Sequence, residues 1–577
     1  MKASIIGATV LWGVFLAGAA QAAEPAYDLV IRGGTIYDGS GKAGYVGDVA
    51  VKGDKIAAIG KTLPGKGKTE IDAKGKAVSP GFINMLSHVE ESILVDGRAL
   101  SDLAQGVTLE VLGEESFGPL SPEMKKAMTE RQADVKYDVS WNTLGQYLDT
   151  VQAKGISPNI ASFVGAGTVR VNLLGEVDVQ PTPEQLTQMQ GLVRQAMEEG
   201  ALGLTDALIY APNSYAKTPE LKAMARISAQ CGGMYIAHMR SEGDRFLEAI
   251  DETIDIAEDS GAPAEIFHFK QAGRANWAKL QPAIDKINAE RAKGTRITAD
   301  MYTYTAGATG LDAAMPTWVQ SGGLEKWIEQ LKDPATRAKV AAEMRNPHPS
   351  DWENLFAGAG PEGMLLLAFK NPALKPLTGK TLAQVAAERG KSPEETAMDL
   401  VVEDGSRVGV AYFLMSEDNV RKEVGLPWMS FGSDEEGAAP EGVFLLQKHH
   451  PRAYGNFDRL LGHYVRETHD VTLPDAIRRL TSFPAQTISI SDRGLLKKGY
   501  FADIVVFDPN TVADHATYDK PDQLATGVEQ VIVNGGFAIK DGVATKAPTG
   551  RVVRGRAWTG APGGGCKAKA SDWTWSR

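Results

Sequence analysis

Cysteine is scarce in this chain: two residues, Cys231 and Cys566, in 577. That excludes a disulfide framework and any cysteine-rich metal site, and leaves open a single bridge between the two. No long run of Lys or Arg occurs and the net charge is −11. The basic footprint of a phosphate-backbone binder is therefore missing, and no nucleic-acid partner is expected. No motif supports a bound nucleotide or flavin. The apolar run near the N-terminus falls short of the ~20 residues needed to cross a bilayer, so no membrane span is expected in the mature chain.

What is present reads as a large soluble protein. Hydrophobic residues make up 43% and charged residues 23%, ordinary values for a globular chain. The length is enough for one large domain plus an accessory one. The 62 glycines alternate with apolar runs, which indicates tight turns rather than disorder. Residues 1–22 carry one Lys2, an apolar stretch and then Ala20-Gln21-Ala22, the pattern of a secretory signal cleaved after Ala22. No Cys lies near that point, so a lipid anchor is not expected. The expected location is periplasmic or secreted.

The segment 23–78 is a series of short alternating strands with Gly and Asp turns, among them YDLVIRGGTIYDGSG and GDVAVKGDKIAAIG. The stretch 483–546 has the same character in GYFADIVVFDP and VIVNGG. Period-2 apolar patterns of this kind are half-buried strands, and the two ends together predict one β-sandwich. Between them, residues 79–482 alternate apolar strands with helical stretches in units of about 30 residues. That repeat predicts an α/β fold, a (β/α)8 TIM-like barrel. The alternation is broken over 309–409, a charged helical stretch with Trp318, Trp327 and Trp352, read as an insertion after a late barrel strand. The tail 547–577 shows no period and is expected to be irregular.

In such a barrel the chemistry sits at the C-terminal ends of the strands. His238 closes MYIA and His268 closes AEIF, one strand-helix unit apart. Neighbouring strands would bring both imidazoles to one rim, where neutral imidazole is a good zinc ligand. Asp434 ends the strand MSFGS and could carry a proton between water and a leaving nitrogen. Helix capping is the ordinary use of a Ser-Asp pair in that place. His88 follows the strand SPGFINMLS and is a further metal candidate. Glu114 and Glu115 end the strand VTLEVLG; side chains alternate along a strand, so one of the two is expected to point inward as a carboxylate ligand.

These segments, with GALGLTDALIYAPNSYAKTPEL, GGMYIAHMRSEGD, YTYTAGATGL and HHPRAYGNF, together resemble the N-acyl-D-amino-acid deacylase (D-aminoacylase) branch of the amidohydrolase superfamily. The resemblance implies a metal-bearing barrel joined to a β-sandwich. It implies that His238 and His268 are the metal histidines, Asp434 the catalytic aspartate and Tyr302 a tyrosine that orients the substrate carbonyl. Lys270, Arg240 and Arg452 fall in matching segments and are expected to hold a substrate carboxylate, a task suited to paired hydrogen bonds from Arg. The sequence departs from the family at three places. Leu86-Ser87-His88 stands where the family has His-x-His, Glu115 aligns with a family Cys, and Gly165-Ala166-Gly167 lacks an expected His.

With Leu86 unable to ligate, one of two metal positions should be crippled, so one catalytic Zn2+ is expected. The expected reaction is hydrolysis of a linear amide, an N-acyl (D-)amino acid, by metal-activated water. A dipeptidase, a cyclic-amide hydrolase or a xenobiotic amidase would use the same scaffold, and the tryptophans of 309–409 hint at a bulky acyl group. A non-catalytic periplasmic binding protein is the alternative from another class. The expected partner is a small-molecule amide; a homo-oligomer is left open.

Overall fold

The computed structural model describes residues 26–349, 351–560 and 565–567; the signal segment 1–22 lies outside the described residues. Both ends of the chain meet in one nine-stranded sheet. Tyr27–Ile36 pairs antiparallel with Tyr45–Lys52 and parallel with Gly67–Asp72 and Ala77–Pro80. Ala77–Pro80 then pairs with Ile504–Phe507, which continues the sheet into Val528–Val533, Gly536–Lys540 and Val543–Ala544. The period of 2 explains how this sheet serves two cores. Ile504 and Val506 join Leu29, Ile31, Val49 and Val51 in one apolar cluster. Val505 and Phe507, pointing the other way, join the core shared with the helices Phe246–Ser260 and Leu280–Lys293.

The middle of the chain forms parallel strands that are buried throughout. One sheet holds Phe82–Ser87, Val107–Leu112 and Asn159–Ser162; a second holds Val164–Gly165, Gly203–Ala207, Met234–His238, Ala264–Ile266, Ile297–Met301 and Met429–Phe431. Burial on both faces accounts for their nearly continuous apolar character. Helices run between successive strands and start and stop where their local sequence directs. Pro183–Glu198 begins with a capping box of Thr182 and Gln185 with Pro183 in the first position, and Phe246–Ser260 ends at Gly261 in the left-handed conformation. The two sheets adjoin where Asp434 N–H donates to the Leu86 carbonyl at 2.9 Å.

The interruption at 309–409 is not purely helical. Ala306–Gly310, Gly409–Phe413 and Met364–Ala368 make a three-stranded antiparallel sheet, with helices Pro334–Met344, Leu382–Arg389 and Pro393–Asp404 packed around a separate core. The strands are only five residues long and their partners are distant in sequence, so the helical charge pattern dominates the reading. Trp327 lies in that core, and Trp318 donates to Glu343 beneath Lys339. Trp327 is part of the insertion's core and Trp318 packs, partly buried, against it.

The described part of the tail is irregular but pinned. Ile160 N–H donates to the Arg551 carbonyl at 2.9 Å, Val553 N–H to Ile160 at 2.7 Å and Gly555 N–H to Gly200 at 2.8 Å. Cys566 is disulfide-bonded to Cys231, 335 residues away in sequence. Among the described residues no helix is long and apolar enough to cross a membrane.

Candidate metal centre

Four strand ends of the parallel sheets deliver the site. Glu114 follows Val107–Leu112, His238 ends Met234–His238, His268 lies two residues beyond Ala264–Ile266, and Tyr302 follows Ile297–Met301. Parallel pairing of Ala237 with Ile266 and of Ile266 with Ala299 sets these ends level. His238 Nδ1 and His268 Nε2 converge on one oxygen, Glu114 Oε1, at 2.8 and 2.7 Å. The two rings are 4.4 Å apart and nearly perpendicular, at 78°. One donor atom from each of the three residues falls within 4.8 Å of the others, and all three side chains are buried.

Two imidazole nitrogens and a carboxylate oxygen are a donor set that suits a divalent ion such as zinc, with a fourth position open. Burial works against ionising Glu114, but the charges and hydrogen bonds of His238 and His268 hold its pKa well below the usual carboxylate range. Sequence alternation leaves Glu114 and Glu115 as alternatives; the structure selects Glu114. Glu115 turns away to accept from Thr168 Oγ1 at 2.9 Å and from Asn213, so its expected alignment with a ligand position is corrected.

His88 does not join the three. Its Nε2 lies 3.1 Å from Asp434 Oδ1. Burial disfavours its charged form, yet the hydrogen bond to Asp434 and the charges of Glu90 and Glu114 raise its pKa to about 9. Leu86, where a family histidine is expected, is fully buried and packs against Gly113 and Gly432. Asp434 is held from the other side by Arg452, whose Nη1 is 2.6 Å from Oδ2. Burial opposes the ionised form of Asp434, but Arg452, His268 and His88 overcome it and keep the group a carboxylate.

Tyr302 is buried, and its hydroxyl has no hydrogen-bond partner among the described residues. Its ring lies 6.5 Å from that of His268 and 4.5 Å from the Arg452 guanidinium. Burial pushes its pKa up, so the hydroxyl stays a donor. His268 and Asp434 have φ of 34° and 52°. A left-handed backbone at a non-glycine residue costs about 1–3 kcal/mol and is retained when the surroundings enforce it. For His268 the enforcement is visible: its N–H donates to Asp300 Oδ1 at 2.8 Å.

The three basic residues expected to hold a carboxylate separate. Arg452 stands in the site, committed to Asp434 and to Glu435 at 3.1 Å. Lys270 also stands beside it, with Nζ 2.5 Å from Glu242 Oε1 and 2.7 Å from His268 Nδ1. Arg240 does not: Glu252 and the Ser214 and Ala216 carbonyls take its donors. Its expected substrate role is corrected to tying the loop before Thr218–Gln230 onto the helix Phe246–Ser260. The residue that sequence reading missed is Glu242, four positions after His238; that i+4 spacing from a ligand was the available signal.

Comparison with known proteins places the whole chain. The model of the amidohydrolase family matches residues 69–539. D-aminoacylase of Alcaligenes xylosoxydans xylosoxydans is 31% identical over 535 residues, covering 92% of this chain and 99% of that protein. A D-aminoacylase structure described with a binuclear metal centre, one-metal activation and second-metal attenuation superposes with a TM-score of 0.76 at 30% identity, over 92% of this chain and 100% of the other. N-acyl-D-glutamate deacylase of Bordetella bronchiseptica, solved with zinc and a phosphonate mimic of the tetrahedral intermediate, gives 0.75 at 28% identity, over 92% and 99%. From the terminal sheet through the buried strands that carry Glu114, His238 and His268, this chain belongs to the amidohydrolase family.

Proposed function

We propose that this protein hydrolyses the amide bond of an N-acyl-D-amino acid, using one zinc ion held by Glu114, His238 and His268. The observation that carries the reading is the convergence of two imidazoles and a carboxylate beside an ionised Asp434 and an unpartnered Tyr302 hydroxyl. Relatives across the chain length act as D-aminoacylase and N-acyl-D-glutamate deacylase, which favours a D-amino acid as the acylated amine.

A divalent ion bound there supplies Lewis acidity and lowers the pKa of water to near 7. Asp434, ionised and facing the cluster, takes the proton of the attacking water and delivers it to the departing nitrogen. Tyr302 donates to the oxygen that gains charge as the carbonyl becomes tetrahedral, a contribution typically of a few kcal/mol per donor. Arg452 and Lys270 supply positive charge for the substrate carboxylate. The Leu86 side chain carries no ligating atom, which supports one ion rather than two.

We further propose that the two parallel sheets are arcs of one (β/α)8 barrel. Asn159–Ser162 runs on into Val164–Gly165 as a single stave, giving eight, and Met429–Phe431 adjoins Phe82–Ser87 through the Asp434–Leu86 bond. Export with loss of residues 1–22 fits the Cys231–Cys566 bond, since disulfides persist in oxidising compartments.

The test is a panel of N-acyl-D- and N-acyl-L-amino acids, dipeptides and cyclic amides presented to the zinc-loaded mature protein. Turnover confined to the D-series supports the reading; turnover of dipeptides or cyclic amides alone would replace it.

A further inference from the structure

The inner nitrogens of His238 and His268 face Glu114; their outer nitrogens decide whether those inner atoms carry a lone pair. A neutral imidazole that ligates through one nitrogen carries its hydrogen on the other, and that N–H needs an acceptor. His238 Nε2 is buried without a hydrogen-bond partner among the described residues. The carboxylate facing it is Glu242, with Oε2 at 3.9 Å. The other oxygen of the same carboxylate, Oε1, is 2.9 Å from the outer nitrogen of the second histidine, His268 Nδ1.

We propose that Glu242 is a positioning residue that accepts from the outer N–H of both His238 and His268, so that one carboxylate sets the tautomer and ring orientation of the two metal ligands. Its location supports this. Glu242 is buried, in the loop between Met234–His238 and Phe246–Ser260. Its own N–H donates to both oxygens of Glu353, at 3.0 and 3.1 Å, and Glu353 belongs to the inserted segment. The insertion therefore fixes the loop that fixes the histidines.

Lys270 competes for the same nitrogen, with Nζ 2.7 Å from His268 Nδ1. An ammonium is a donor only. If it were the partner of Nδ1, the imidazole hydrogen would have to sit on Nε2, the atom aimed at Glu114, and no lone pair would remain there for an ion. The partner of Nδ1 in the ligating state is therefore Glu242, and Lys270, 2.5 Å from Glu242 Oε1, neutralises that carboxylate.

This inference rests on the metal reading of the three residues, and the experiment separates the two. Zinc is titrated into metal-free wild type, E242Q and E242Q/K270M against a chromophoric chelator. Melting of each metal-free form is recorded, together with the visible spectrum of each Co2+-substituted form. The carboxamide keeps one acceptor and turns the other into a donor, so at least one histidine loses its partner. The expected result is wild-type binding of one ion, a 10–100-fold weaker affinity in E242Q and shifted cobalt bands. The double variant, which strands no Lys270 charge, stays equally weak and serves as the test if E242Q does not fold. Zinc affinity within twofold of wild type in E242Q overturns the inference. Recovery in the double variant also overturns it, because the loss would then belong to the stranded lysine. A wild type that binds no zinc overturns the metal reading itself.

Discussion

Arg452, itself buried, pairs with the half-buried Asp434, Nη1 to Oδ2 at 2.6 Å, and the same guanidinium reaches Glu435 at 3.1 Å. The pair ties the acid of the site to the helix Arg452–Arg459 and keeps it ionised. Removing the arginine takes the cation from Glu435 and leaves the largely covered Asp434 with His88 alone. Arg452→Met is expected to lower unfolding free energy by about 3–5 kcal/mol, measured by urea denaturation of the metal-free protein. A loss under 1 kcal/mol would show that the pair contributes little to holding the site.

Asp434→Asn keeps the shape of the side chain and removes its proton affinity. Turnover is expected to fall about 10²–10⁴-fold while zinc content stays at one ion per chain. Steady-state kinetics with metal analysis checks both halves. Near-normal turnover would end the assignment of Asp434 as the proton carrier.

Tyr302→Phe removes a buried hydroxyl that has no partner among the described residues. Stability should therefore not fall, because no hydrogen bond is lost. If the hydroxyl donates to the developing oxyanion, kcat should drop about 10²–10³-fold. Equal losses in melting temperature and activity would point to a packing role instead.

Exhaustive chelation is expected to abolish hydrolysis, and zinc to restore it at a stoichiometry of one. Two tightly held ions per chain would contradict the argument built on Leu86.

Glu423 is fully buried, and burial raises its pKa to about 8, with the Gln271 hydrogen bond and the charge of Lys270 pulling in the opposite direction. A carboxyl with a raised folded-state pKa contributes stability that is complete below its unfolded value, near 4.5, and is lost as pH rises through about 8. Glu423→Gln should flatten the stability–pH profile across that window. An unchanged slope between pH 5 and 8 would rule out Glu423 as its source.

Much of the site was legible because its parts are local. His238 and His268 each end an apolar strand, one unit apart, and a strand-helix repeat converts that spacing into adjacency. Asp434 was legible by the same logic. Other features needed distances between segments. Whether Glu114 or Glu115 faces the histidines depends on how the chain leaves Val107–Leu112. Arg240 and Lys270 sit in equally suggestive strings, yet one is consumed by Glu252 and the other lies beside His268. The strands of the insertion were hidden because their pairing partners lie about 50 to 100 residues apart in sequence.

Outside the insertion, the sequence alone determined the kind of the elements, the strand-rich frame with its repeating centre, and the donor types at the strand ends, because periodicity and side-chain chemistry are properties of short stretches. Only the tertiary structure decided that Glu114 rather than Glu115 meets His238 and His268, that Glu242 lies beside both rings and that Cys231 meets Cys566. Those outcomes turn on a few ångströms between residues far apart in the chain, and only packing of the whole molecule sets such distances.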